Sequence, residues 1–144
     1  MGSKKEVKFQ DKQINVTENP VLIVGQNPGR QRKGSQTSIN WEGNRSSDFL
    51  NWCIEGLENL YLTNACNYQQ MTEDRIVEGS VELRAKIDVL KPRKIITLGE
   101  FASFTVADIN PDVPITHFFH PSFMVRFNKD KGEYKEQLRR AITT

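Results

Sequence analysis

The chain has 144 residues, of which 37% are hydrophobic and 26% charged, and a net charge of +2. This length suits one domain with a real core, and so small a net charge does not by itself announce nucleic acid. No apolar run approaches the ~20 residues that span a bilayer, and the two cysteines and two histidines match no zinc spacing, so neither a membrane segment nor a metal is expected.

In chain order, the polar residues 1–19 predict a loosely held or peripheral N-terminal segment, followed by a single α/β domain over 20–144. The run Val21-Leu22-Ile23-Val24 stops at Gly25-Gln26-Asn27-Pro28-Gly29. That pattern predicts a buried parallel strand delivering a polar amide to the carboxyl end of a sheet, where α/β proteins keep their sites. Residues 30–45 form the longest irregular stretch, a length that in a compact fold is usually functional or mobile. Phe49, Leu50, Cys53, Ile54 and Leu57 recur at helical spacing over 47–57. A strand follows over 60–63. A less regular helix over 72–90 contains Gly79, a candidate break, and ends before Pro92. Residues 94–98 and 115–119 read as strands, with a short helix over 99–107 between them. An amphipathic helix over 133–142 closes the chain, with Tyr134 and Leu138 inward and Ala141 as a further inward candidate. Strands alternating with helices predict a three-layer α/β/α sandwich around a central, mostly parallel four-stranded sheet. Cys53 and Cys66 form no CxxC, and no secretory segment is evident, so an intracellular location (cytoplasm, nucleoid or nucleus) is expected.

Five pieces of this chain resemble the uracil-DNA glycosylase superfamily, in that superfamily's order, over about residues 21–127. Gly25-Gln26-Asn27-Pro28-Gly29 lies between the Gly-Gln-Asp-Pro form of the Asp-bearing uracil-DNA glycosylases and the Gly-Ile-Asn-Pro-Gly form of the mismatch-specific and thymine-DNA glycosylases. Trp41-Glu42-Gly43, Leu60-Tyr61-Leu62-Thr63-Asn64-Ala65 and the stretch from Lys91 to Gly99 are similar to segments of the iron–sulfur branch. His120-Pro121-Ser122-Phe123 resembles the second catalytic motif. The iron–sulfur branch needs four cysteines and this chain has two, so no cluster and no other cofactor is expected.

The resemblance implies base flipping followed by hydrolysis of an N-glycosidic bond. Asn64, offering an acceptor and a donor in one plane, would contact a pyrimidine's O4 and N3–H together; taken alone it reads first as a turn-capping residue, and the other motifs shift it to the base reader. His120 would donate to the departing base as charge develops there, the alternative being a structural histidine before proline. Asn27 stands where the Asp-bearing enzymes carry a charge. An amide cannot act as a general base, yet its oxygen can hold a water, which predicts slower chemistry. Gly29 takes the place of a tyrosine that blocks the pyrimidine 5-position, implying tolerance of 5-substituted bases; a φ > 0 turn is the other reason for glycine there. Gln26 joins the base-binding set. Trp41 is the candidate stacking face, with Phe49 as runner-up; a core aromatic is the alternative.

DNA contacts are expected from Arg30, Arg32 and Lys33, and from Ser122 and Arg126. Phe123, Met124 and Val125 would form an apolar wedge. His117 is assigned to packing or a supporting contact. The leading expectation is a monofunctional, monomeric DNA glycosylase for uracil or a related modified or mismatched pyrimidine in single- or double-stranded DNA. A weak or inactive module that binds DNA or a modified base is the second reading. An unrelated nucleotide-binding domain is a third, and it leaves His120-Pro121-Ser122 unexplained.

Overall fold

The structure, a computed structural model, describes residues 6–127 and 129–144. Five strands, β1 (Lys12–Ile14), β2 (Val21–Gly25), β3 (Leu60–Asn64), β4 (Lys94–Leu98) and β5 (Ile115–Phe118), form one sheet in the order β1-β3-β2-β4-β5. Only β1 runs antiparallel, against β3; the other pairings are parallel. The expected three-layer α/β arrangement is present, but the sheet has five strands rather than four. The extra strand comes from the segment expected to be peripheral. Its polar composition hid it, because β1 is an edge strand with one wet face and needs no continuous apolar run. Residues 1–5 of that segment lie outside the described residues.

The central strand β2 is fully buried, and the side-chain alternation of strands assigns its residues to two cores. Val21 and Ile23 pack with Leu60, Leu62, Ile96 and Leu98 under α1 (Arg45–Ile54), α4 (Pro121–Arg126) and α5 (Lys131–Thr143). Leu22 and Val24 pack with Ile95, Leu83 and Val106 under α2 (Glu73–Leu90) and α3 (Glu100–Ile109) on the other face. α2 runs unbroken through Gly79. A Cβ there would lie 2.9 Å from the carbonyl carbon of Ala65, so this glycine permits close helix–sheet packing rather than marking a break. In α5 Tyr134, Leu138 and Ile142 are buried, and Ala141 is only partly so.

Helix starts follow ordinary capping chemistry. Asn44, Thr72 and Asp130 each accept a backbone N–H with the side chain at the N-termini of α1, α2 and α5. Lys91 takes a left-handed conformation just past α2, ahead of Pro92. α4, unexpected from the sequence, starts with Pro121 at its first turn and His120 as its cap. All four parallel strands point their carboxyl ends to one edge of the molecule. There Gly25 sits opposite Asn64 in register, and His120 follows β5.

Candidate base-binding cavity

At that edge lies a cavity of about 260 Å³, lined by Gln26, Asn27, Gly29, Trp41, Asn64, His120 and Ser122 together with Phe9, Gln31, Glu42 and Asn44. Seven of the residues expected at a site therefore converge on one space. Past Gly29 and Asn27 the cavity continues into an open groove of about 1140 Å³ that Arg30 also lines.

Among the described residues, two buried side-chain N or O atoms lack a hydrogen-bond partner: Oδ1 of Asn64 and Nε2 of His120. Both residues line this cavity. Native folds leave few such atoms unpaired, and each has a definite polarity here. Nδ2 of Asn64 donates to Oδ1 of Asn40 at 2.7 Å, which leaves Oδ1 as a free acceptor. Nδ1 of His120 accepts the backbone N–H of Ser122 at 3.0 Å and lies 2.8 Å from its Oγ. An imidazole whose Nδ1 accepts carries its proton on Nε2, so the unpartnered atom is an N–H donor. Burial pulls the His120 pKa down from 6.5 to about 4, so the ring is neutral at pH 7. Two residues that line the cavity thus carry one unpartnered acceptor and one unpartnered donor, neither charged.

Two aromatic side chains contribute to the otherwise largely polar wall. Trp41, 7% exposed, donates from Nε1 to the carbonyl of Thr63 at 3.3 Å, and its ring centroid lies 5.7 Å from that of His120. It adopts φ +65°, a conformation rare for a bulky residue and associated with functional sites. The second aromatic on the cavity is Phe9, not Phe49. Phe49 packs in the core against Tyr134, with centroids 5.4 Å apart, and does not reach the cavity. Phe9 lies in the polar N-terminal segment. Its only sequence signal is an apolar residue alternating with Val7 ahead of β1.

Gly99, at φ +93°, lies directly beneath His120; a Cβ there would come within 3.2 Å of the His120 Cβ. Gly29 is exposed and does not take a positive φ, so no turn requires glycine at this position. A Cβ at residue 29 would meet Nδ2 of Asn44 at 3.1 Å, so this side of the cavity is narrow and polar. Asn27 donates from Nδ2 to the carbonyls of Gln69 (2.8 Å) and Tyr68 (3.4 Å); its Oδ1 is the atom left to accept. Gln26 is exposed, its Nε2 resting 3.6 Å from the sulfur of Met71. The carboxylate of Glu42 is turned to Thr37 Oγ1 at 3.2 Å and Lys12 Nζ at 3.7 Å.

Of the expected DNA contacts, Arg30, Arg32, Lys33, Ser122 and Arg126 are exposed, Arg32 also pairing with Asp48 at 2.8 Å. Met124 is buried at 4% exposure and does not form part of a wedge; Phe123 and Val125 are half-buried and both pack against the core. Helix formation at 121–126 turns Met124 inward. The apolar surface beside His120 is instead aromatic: half-buried Phe123 lies between Phe119 and Phe127, 61% and 53% exposed, at centroid distances of 4.9 and 4.8 Å. His117 is exposed on β5, with Nδ1 3.1 Å from Thr97 Oγ1.

Cys53 and Cys66 are free and buried. Burial pushes both thiols up, Cys53 to about 12, so neither is poised as a nucleophile. Among the described residues no group of three or more His, Cys, Asp or Glu could hold a metal ion, and no helix is long and apolar enough to cross a membrane. No curated protein matches the chain. The family model described as Uracil DNA glycosylase superfamily matches residues 12–143.

Proposed function

This chain belongs to the uracil-DNA glycosylase superfamily, and from that premise we propose that it hydrolyses the N-glycosidic bond of uracil, or of a closely related pyrimidine, in DNA and leaves an abasic site. The observation that carries this reading is the pair of unpartnered buried atoms, an acceptor on Asn64 and a donor on His120, on two residues that line one cavity. Uracil offers the complementary pair on adjacent ring positions, N3–H and O2. A cytosine would oppose the Asn64 acceptor with its own N3 lone pair.

The chemistry follows from the same two groups. A flipped base stacks against Trp41 or Phe9 while Asn64 holds its edge. As the C1′–N1 bond breaks, its electron pair moves into the pyrimidine and builds negative charge on O2. The Nε2–H of a neutral His120 meets that charge, an interaction stronger in the transition state than in the ground state. A water held by Oδ1 of Asn27 then adds to C1′, and its proton is lost to solvent. Asn27 neither takes that proton nor supplies charge to the sugar, so the rate is expected to lie below that of an enzyme with Asp in this place. The same residue favours a second reading, a module that binds a modified base with little excision. Glycine at residue 29, beside a polar wall and an open groove, supports acceptance of small polar 5-substituents such as hydroxymethyl. Arg30, Lys33, Ser122 and Arg126 are proposed to contact the DNA backbone, and Phe119, Phe123 and Phe127 to support unstacked neighbouring bases.

The test is incubation with single- and double-stranded oligonucleotides carrying uracil, 5-hydroxymethyluracil, hypoxanthine or a G·T mispair, followed by alkaline cleavage. Strand breaks at uracil are expected. Binding without breaks on any substrate would leave the second reading in place of the first.

A further inference from the structure

Behind Asn64 runs a chain of buried polar groups that ends on Asp11. Oδ1 of Asp11 accepts from Oγ1 of Thr63 at 2.5 Å and from Nδ2 of Asn40 at 3.2 Å. Its Oδ2 accepts from the Tyr61 hydroxyl at 2.7 Å and from Nζ of Lys86 at 2.7 Å. The Asp11 side chain is 9% exposed and Asn40 is fully buried. Asn40 also donates from Nδ2 to Oδ1 of Asn67 at 2.9 Å, so its amide nitrogen is committed on both sides. Its Oδ1 is left to accept from Asn64.

The direction of this chain is not arbitrary. An amide can be turned end for end at almost no steric cost, because its O and NH₂ have nearly the same shape. What decides its orientation is whether each neighbour donates or accepts. A carboxylate only accepts, so Asp11 forces the NH₂ of Asn40 toward itself and the oxygen of Asn40 toward Asn64. That oxygen in turn forces the NH₂ of Asn64 toward Asn40 and its oxygen into the cavity. We propose that Asp11 and Asn40 are positioning residues that set the polarity of Asn64, and hence which pyrimidine the cavity accepts. The inference rests on the reading of Asn64 as the residue that meets the base. Neither Asp11 nor Asn40 touches the base; together they keep an acceptor, rather than a donor, at the position that meets N3 of a pyrimidine.

Lys86 makes the idea testable. In Asp11→Asn the new amide must turn its oxygen toward the Lys86 ammonium, since an NH₂ there would face another donor. Its own NH₂ then faces Asn40, which turns over, Asn67 and Asn64 turning with it, and Asn64 presents a donor to the cavity. In Asp11→Asn/Lys86→Met that constraint is gone, and the residue 11 oxygen can again face Asn40. Single-turnover excision would be measured on oligonucleotides carrying uracil or cytosine. For Asp11→Asn the uracil-to-cytosine ratio is expected to fall on the order of 10–100-fold, from mispairing one buried hydrogen bond, and the double variant is expected to recover most of it. A purely structural role for Asp11 predicts no such recovery.

A second readout does not need activity. Oδ1 of Asn64 and Cζ2 of Trp41 lie against the same face of Gly25. Nuclear Overhauser effects from the Asn64 side-chain amide protons to the Trp41 ring edge are therefore expected to be stronger in Asp11→Asn than in the native protein. An Asp11→Asn protein with the native ratio and the native amide contacts would overturn the proposal. A native protein that excises neither base would overturn the glycosylase reading, while the amide contacts would still decide the relay.

Discussion

Substituting Gly25 by alanine adds a single methyl group at the most crowded point of the cavity. Its carbon would lie 2.9 Å from Cη2 of Trp41 and nearer still to Cζ2 of the same ring and to Oδ1 of Asn64. Non-bonded carbons settle at about 3.5 Å or more, so the ring edge must retreat by at least about 0.6 Å. Neither neighbour yields easily. Trp41 is buried and tied through Nε1 to Thr63, and Asn64 is tied through Asn40. Overpacking of this kind costs about 1–3 kcal/mol, measurable as a lower urea midpoint. The larger effect falls on function, because the groups displaced are the stacking wall and the base-reading amide. A misplacement near 1 Å at a reacting site costs roughly 100-fold in rate. Single-turnover excision at saturating protein should therefore drop by about that factor, at temperatures where circular dichroism shows the variant folded. Gly25 has no positive φ, so backbone strain adds nothing and the whole effect is steric. A Gly25→Ala protein with native stability and native excision would refute the assignment of Trp41 and Asn64 to one tightly packed wall.

Three further outcomes are expected. The pKa of His120 is lowered by burial to about 4, so the unfolded chain binds more protons than the folded one between about pH 6.5 and 4. Its contribution is fully present above about 6.5 and is lost as pH falls through that window. It amounts to at most about 3 kcal/mol, read as the difference in pH-dependent stability between the native protein and His120→Ala. Excision should also persist at pH 5 and fail near 4, where a protonated Nδ1 would face the Ser122 N–H. An acid limb at pH 6.5 would contradict the burial of the ring. Asn27→Asp should raise the single-turnover rate on uracil by supplying a charge opposite the developing sugar cation. An unchanged or lower rate would mean that Oδ1 of Asn27 does not face the reacting centre.

The parts of this protein that were legible in the sequence are those where one local rule dominates. Continuous β-branched runs betrayed β2 and β4, because strands buried on both faces need no polar alternation. The chain order of Gly25-Gln26-Asn27, Asn64 and His120-Pro121-Ser122 led to the cavity, because strand ends in a parallel sheet share one edge. β1 and Phe9 stayed hidden in a polar segment whose structure depends on pairing with β3, a contact more than 40 residues away in the chain. Phe49 illustrates the converse. Its helical spacing identified a buried face correctly but could not say whether that face met the cavity or Tyr134. Met124 departs from the expected wedge because the histidine expected to act chemically also caps a helix, and that helix turns Met124 inward. The relay from Asp11 through Asn40 to Asn64 was beyond reach, since three polar residues at unrelated spacings carry no pattern until the fold brings them together.

The most direct test of the central claim is to remove the His120 donor without removing its cap. In His120→Asn the side-chain oxygen can still accept the Ser122 N–H, so α4 keeps its start, but no N–H remains where Nε2 faces the cavity. Single-turnover excision of uracil by His120→Asn, measured beside the native protein with DNA affinity and urea stability as controls, should fall about 100- to 1,000-fold while the controls hold. Native-like excision by that variant would contradict the claim that a neutral His120 stabilises the departing base.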